Sequence, residues 1–299
     1  MSRKTAVILV LLAAVMWGLT GLFSINLKQM GFTAMEMSTI RSFLSLIIAA
    51  VVFFVKDRNI FKIHSLKDLA ILTVTCFFGY TIFIVAYVVA VNETSMAVAC
   101  VLMYTFPAFI ILFSAIFLKE KVTKKKIAVM LMVFAGCVMV SGIFDGEVRN
   151  FTTFGLLCGL FSGISFAFYS MASKALMKKY STETILFYMF VISSVFFIFT
   201  GHPAQVIAKT TQHGAWSWMI SFALAISFVP YIIYLKGLTV ISASEAGIIA
   251  SIEPIVSTIA GIMLFGESIN LLKICGIAVV VIAIAYMNMP ERKENKNEA

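Results

Sequence analysis

Long apolar stretches alternate with short polar connections along nearly the whole chain. Stretches free of Asp, Glu, Lys and Arg run Thr5–Leu27, Ser42–Val55, Leu69–Asn92, Thr94–Leu118, Ile127–Phe144, Phe151–Ser173, Thr184–Thr200 and Gly214–Leu235. A ninth, Ala246–Gly266, is interrupted by Glu253, and a tenth runs from about Leu271 to Met289. The second reaches spanning length only if it starts near Met37 and takes in Arg41. About 20 helical residues cross about 30 Å of hydrocarbon, so the pattern predicts ten transmembrane helices. The runs are apolar all round rather than alternating, which excludes a β-barrel.

Composition agrees. Hydrophobic residues make up 61%, charged residues 12%, and the mean hydropathy is +1.02, too few charges to cover a water-facing surface. A soluble pair of domains and a disordered acidic chain are excluded, and five cysteines are too sparse for a secreted disulfide scaffold. Arg3 and Lys4 ahead of the first span resemble the start of a signal peptide, but the apolar run is too long and lacks an A-x-A site. It is expected to stay as a helix. The polar tail Pro290–Ala299 is expected to be a frayed cytoplasmic segment.

The net charge of +9 gives an orientation. With alternate connections on opposite faces, 18 of the 23 basic residues share the face of the N-terminus. Four (Lys28, Arg149, Lys209, Lys273) fall on the other face, and Arg41 lies within a span. Basic residues concentrate in cytoplasmic loops, so the expectation is a multi-pass inner (cell) membrane protein with both termini cytoplasmic. The basic run 119–126 (KEKVTKKK) then anchors topology against membrane lipid, and no nucleic-acid partner is expected.

The chain also repeats. Shifted by 147 residues, Tyr87 falls on Tyr234, Ser95 on Ser242, Ala99 on Ala246, Pro107 on Pro254, Glu120 on Glu267 and Lys126 on Lys273, without a gap. Repeats are expected at 1–145 and 150–289. Five spans per repeat is an odd number, so the halves enter the membrane from opposite sides, the arrangement of inverted-repeat transporters.

These residues, with AVMWG at 14–18, Arg41 in the second span, prolines in the fourth and ninth spans, SIEPIV at 251–256 and FGES at 265–268, resemble the EamA family of the drug/metabolite transporter superfamily. The resemblance covers about 5–289. It implies ten helices and a central cavity lined by the first four helices of each half, with the fifth and tenth peripheral. It also implies transport of amino acids, other metabolites, nucleosides or drugs. One departure stands out: LKEK at 118–121 replaces the usual glycine–glutamate at the end of the fourth span.

Glu253 is the most informative residue. It lies about nine residues, or about 13 Å, into its span, where an ionised acid costs about 2.5–3.5 kcal/mol or more. It therefore either faces a cavity, binding a cation or a coupling proton, or pairs with a neighbouring helix. Arg41 clamps a substrate carboxylate, pairs with an acid, or snorkels to the outer interface. Tyr80 and Phe83 share a face of the third span with Tyr87. Tyr231 shares a face of the eighth with Ser227 and Tyr234. With Trp17, Tyr104 and Tyr169 they are candidate substrate-binding walls, ordinary packing being the alternative. Pro107, Pro230 and Pro254 are candidate hinges. The glycines Gly18/Gly21 and Gly155/Gly159/Gly163 have the spacing of close helix contacts.

The cysteines and histidines have no metal-ligand spacing, there is no Walker A motif, and no cofactor is expected. The functional expectation is a secondary-active, alternating-access permease for a small organic solute, with export and proton coupling as its expected mode and a monomer or dimer as its state. A membrane sensor or assembly protein would need a reporting domain that these short loops do not supply. An intramembrane lipid-modifying enzyme would need a catalytic constellation that the spans lack.

Overall fold

The computed structural model describes residues 1–56, 58–141, 143–144, 152–266 and 270–289, with the side chains of Lys56, Arg58 and Asn59 outside the description. Glu267, Arg149 and the tail from Pro290 lie outside the described residues. All regular structure among them is helical. The principal helices are α1 (Arg3–Gln29), α2 (Ala34–Val55), α3 (Leu66–Glu93), α4 (Met96–Phe117), α5 (Lys124–Val140), α6 (Thr153–Leu176), α7 (Thr182–Thr200), α8 (Trp216–Leu238), α9 (Ala243–Phe265) and α10 (Leu271–Asn288). Nine of them are long and apolar enough to cross a membrane, and α5, at 17 residues, is shorter. Large apolar side chains such as Ile8, Val51, Phe54, Leu131, Phe199 and Met263 are exposed on the outer faces, as lipid contact requires. A short amphipathic helix, Pro203–Gln212, connects α7 and α8.

Helix starts follow local chemistry rather than the edges of charge-free windows. Thr33 and Glu36 form a reciprocal capping box, with Thr33 N donating to Glu36 Oε2 at 2.7 Å and Glu36 N to Thr33 Oγ1 at 3.2 Å. This box starts α2 at Ala34, upstream of the charge-free run. Thr123 caps α5, which places Lys124–Lys126 in its first turn.

The repeat explains most of the packing. Helix α1 packs on α8 as α3 packs on α6, while α2 meets α7, α4 meets α9 and α5 meets α10. Each pairing is its own counterpart or another pairing's counterpart under exchange of the halves. The matching residues have structural jobs. Ser95 and Ser242 are the N-caps of α4 and α9, accepting from Val98 N at 3.2 Å and Glu245 N at 3.1 Å. The amides of Lys126 and Lys273 are bound by the caps Thr123 and Asn270. Helices α3 and α8 each widen into a π segment at corresponding places, Phe77–Thr81 and Ala223–Phe228.

The glycine–glutamate departure also has a structural reading. Lys119 has φ 56°, the left-handed conformation that its counterpart Gly266 adopts at φ 69°. A side chain there costs about 1–2 kcal/mol. Lys119→Gly is therefore expected to stabilise the protein by about 0.5–1 kcal/mol, the relief exceeding the extra freedom given to the unfolded chain. Thermal unfolding in detergent checks this, and an unchanged or lower midpoint would contradict it.

At the periphery α5 and α10 cross through facing glycines. A Cβ on Gly136 would lie 2.5 Å from Val280 Cγ2, and one on Gly276 would lie 2.6 Å from Val140 Cγ2. Gly136→Leu is expected to force these helices apart and cost about 1–3 kcal/mol. It should lower the unfolding midpoint while sparing flux per folded molecule, since Gly136 itself does not line the cavity.

Candidate functional site

Helices α4 and α9 are broken midway at corresponding positions. Thr105 N bonds Leu102 O and Ala108 N bonds Thr105 O, just as Ile252 N bonds Ile249 O and Ile255 N bonds Ile252 O, at 3.0–3.2 Å. These tighter i→i+3 turns lead into and enclose Pro107 and Pro254, each near the start of the following helical piece, where a missing N–H is tolerated. Neighbouring helices press on the breaks through glycine. A Cβ on Gly18 would lie 2.8 Å from Glu253 O, and one on Gly163 would lie 2.8 Å from Met103 O. Gly155 and Gly159 are likewise close contacts, whereas Gly21 faces open space. Pro230 follows the π segment of α8.

A cavity of about 1260 Å³ opens between the halves. It is lined by Trp17, Gly18, Gly21, Arg41, Phe83, Tyr87, Tyr104, Tyr231, Glu253 and Pro254 among the residues singled out from sequence. Its mouth includes Gly31–Met35, Asn92, Ser95, Met96 and Lys273, at or beside the connections α1–α2, α3–α4 and α9–α10, the face poor in basic residues. Tyr80 and Tyr169 lie behind this lining, 1% and 0% exposed, with rings 5.0 and 5.9 Å from that of Tyr231. Pro107 is buried in α4 and Pro230 in α8, both outside the lining.

Glu253 begins the second piece of α9, and the Tyr104 hydroxyl faces its carboxylate. Tyr87, Cys100, Cys137 and Tyr231 are the other titratable side chains within electrostatic reach. The Arg41 guanidinium lies over the Phe222 ring, 5.2 Å from its centroid, and its Nε has no hydrogen-bond partner. Trp17 Nε1, Tyr80 Oη, Tyr169 Oη and Ser227 Oγ are also buried without a protein partner.

Aromatic wall residues missed by sequence reading include Phe166 and Phe106. Phe166 touches Trp17, Phe83, Phe106, Tyr169 and Tyr234, with ring centroids 4.9–6.5 Å apart. Phe106 also lines the cavity. The repeat held a signal for Phe106, since it occupies the position of Glu253 in the first half; Phe166 had none. Tyr234, on the same face of α8 as Tyr231, is fully buried and hydrogen-bonded to Ser170 Oγ at 2.9 Å.

The opposite face is closed by polar contacts. Glu120 accepts from Ala243 N at 3.0 Å and from the Ser244 hydroxyl, and lies 3.5 Å from Lys126 Nζ. Lys126 Nζ also donates to Ser244 Oγ at 2.9 Å. Arg3 pairs with Glu245, and Lys174 binds the carbonyls of Leu238 and Ile241. These contacts join the ends of α1, α4, α5, α6, α8 and α9 on that face.

The profile of the EamA-like transporter family matches residues 4–142 and 153–289. A relative from Archaeoglobus fulgidus, named only as an uncharacterized transporter, is 26% identical over 205 residues, 67% of this chain and 70% of its own. The pseudopaline exporter CntI of Pseudomonas aeruginosa is 22% identical over 211 residues, 71% of this chain and 72% of its own. A solved crystal structure superposes with a TM-score of 0.79 over 96% of this chain and 97% of its own, at 17% identity, so the fold is shared. The chain, an all-α membrane protein of two five-helix repeats, belongs to the EamA-like transporter family.

Proposed function

We propose that this transporter is a secondary-active carrier that moves a small organic solute, such as an amino acid or other metabolite, by alternating access. The observation that carries the reading is one cavity reaching Glu253 from a single face while Glu120, Arg3 and Lys174 seal the other. Glu253 and Arg41 bind the solute, and Trp17, Phe83, Tyr104 and Tyr231 enclose it. Tyr80 and Tyr169 support Tyr231 from behind. The breaks at Pro107 and Pro254, and the π segment before Pro230, are the places where helices bend between states. The lysine and arginine asymmetry puts both termini in the cytoplasm and the open mouth outside. Export is the direction proposed, and one relative bears an exporter's name.

Proteoliposomes containing the full chain test this. Counterflow or gradient-driven flux of at least one amino acid or related metabolite is expected above empty vesicles. Absence of flux across a broad metabolite panel, under every imposed ion gradient, would refute the carrier reading.

A further inference from the structure

Among the described residues, four acidic or basic side chains line the cavity: Lys28, Arg41, Glu253 and Lys273. Lys28 is exposed near the end of α1, and Lys273 is buried in the first turn of α10 with interactions of its own. Both belong to the mouth. Deeper in, Arg41 and Glu253 remain, one positive and one negative, without a salt bridge to each other or to another described residue.

Their levels differ. Counting from the open face, Arg41 is about 10 Å along α2 from its start, and Glu253 about 18 Å along α9 from its end. Arg41 is therefore the shallower charge. Tyr231 lies within electrostatic reach of both. The rings of Trp17 and Tyr231, 5.0 Å apart, add π-faces at the deeper level.

Resting on the carrier reading above, we infer that the solute is a zwitterion, entering with its cationic nitrogen toward Glu253 and its carboxylate toward Arg41. A monocation would satisfy the carboxylate and the aromatic faces but leave the guanidinium without a counter-charge. A monoanion would satisfy Arg41 through the bidentate geometry that guanidinium favours but set a second negative charge near Glu253. A neutral solute would leave both charges uncompensated on entering and displacing water. Only a molecule carrying both signs compensates the pair, and the offset between their levels orients it end-on.

The test uses purified full-length protein in detergent and matched triplets of probes. Each proteinogenic amino acid is compared with its decarboxylated amine and its deaminated acid, and glycine betaine and carnitine are added as quaternary zwitterions. At least one zwitterion, at about ten times its Kd, is expected to raise the unfolding midpoint by about 2–4 °C. Its amine and its acid at the same concentration should not. Arg41→Gln and Glu253→Gln should each abolish the shift, and Arg41→Lys should retain part of it. The wild-type triplets decide the matter even if a variant fails to fold. Stabilisation by amines or acids alone, or by no zwitterion in the panel, overturns the inference. Liposome flux of a singly charged solute would overturn it while leaving the carrier reading intact, whereas absence of all flux would strike that reading instead.

Discussion

Replacing Glu120 by alanine is expected to open the sealed face and shift the protein toward its opposite conformation. The Glu120 carboxylate sits at the N-terminus of α9, taking the Ala243 amide at 3.0 Å and the Ser244 hydroxyl, with Lys126 alongside. An anion there gains from the exposed amides and the helix dipole. Charge-assisted contacts of this kind contribute about 1.5–3 kcal/mol, which corresponds to a change of about ten- to hundredfold in a two-state ratio. The repeat supplies reporters for each face. Ser24 lines the open cavity, and Met171, its counterpart 147 residues on, is 6% exposed. With the five native cysteines replaced, Ser24→Cys should react readily with a maleimide and Met171→Cys slowly. Adding Glu120→Ala should slow the first and speed the second by about tenfold, with Glu120→Gln intermediate. Unchanged rates at both positions would show that this cluster does not hold the face closed.

How much of this was legible in the sequence depended on what each feature needs. The spans were legible because a bilayer demands long apolar runs whatever the packing. The duplication was legible because its matching residues are caps and helix-breakers, local chemistry that neutral drift cannot readily replace: Ser95 and Ser242 cap helices, and Pro107 and Pro254 follow breaks. Element ends were less legible, since a search for charge-free windows cannot foresee a capping box that carries Glu36 inside α2. Lys119 was visible as a departure but not as a left-handed residue, because that depends on the turn closing α4. The wall was legible only in part. Trp17, Tyr104 and Tyr231 line the cavity while Tyr80 and Tyr169 stand one layer back, a difference set by helix rotation and by the close approach of α3 to α6 at Gly79, where a Cβ would lie 2.7 Å from Tyr169 Cβ. Phe166 gathers five aromatic neighbours yet looks like any other phenylalanine in a sequence with 28 of them.

Glu253→Gln is expected to have the largest effect on transport of any single substitution. The change keeps the side chain's shape, so Tyr104 and the start of the second piece of α9 retain a polar partner. It removes the negative charge among the cavity-lining residues of known placement. If that charge receives the cationic end of the solute, affinity should fall by about 10- to 100-fold, the loss of one charge-assisted contact. If the same carboxylate also carries the coupling proton, the variant should lose its response to an imposed pH gradient while still exchanging solute across the membrane at raised concentration. Carboxylates are suited to both tasks in turn, because protonation releases the cation that ionisation held. The two losses are separable: Glu253→Asp keeps the charge and withdraws it by one methylene, so it should weaken binding yet preserve the pH response. Counterflow and gradient-driven uptake measured side by side distinguish these outcomes. Wild-type affinity and an intact pH response in Glu253→Gln would remove this residue from the transport cycle and leave it as an acid that merely stabilises the break in α9.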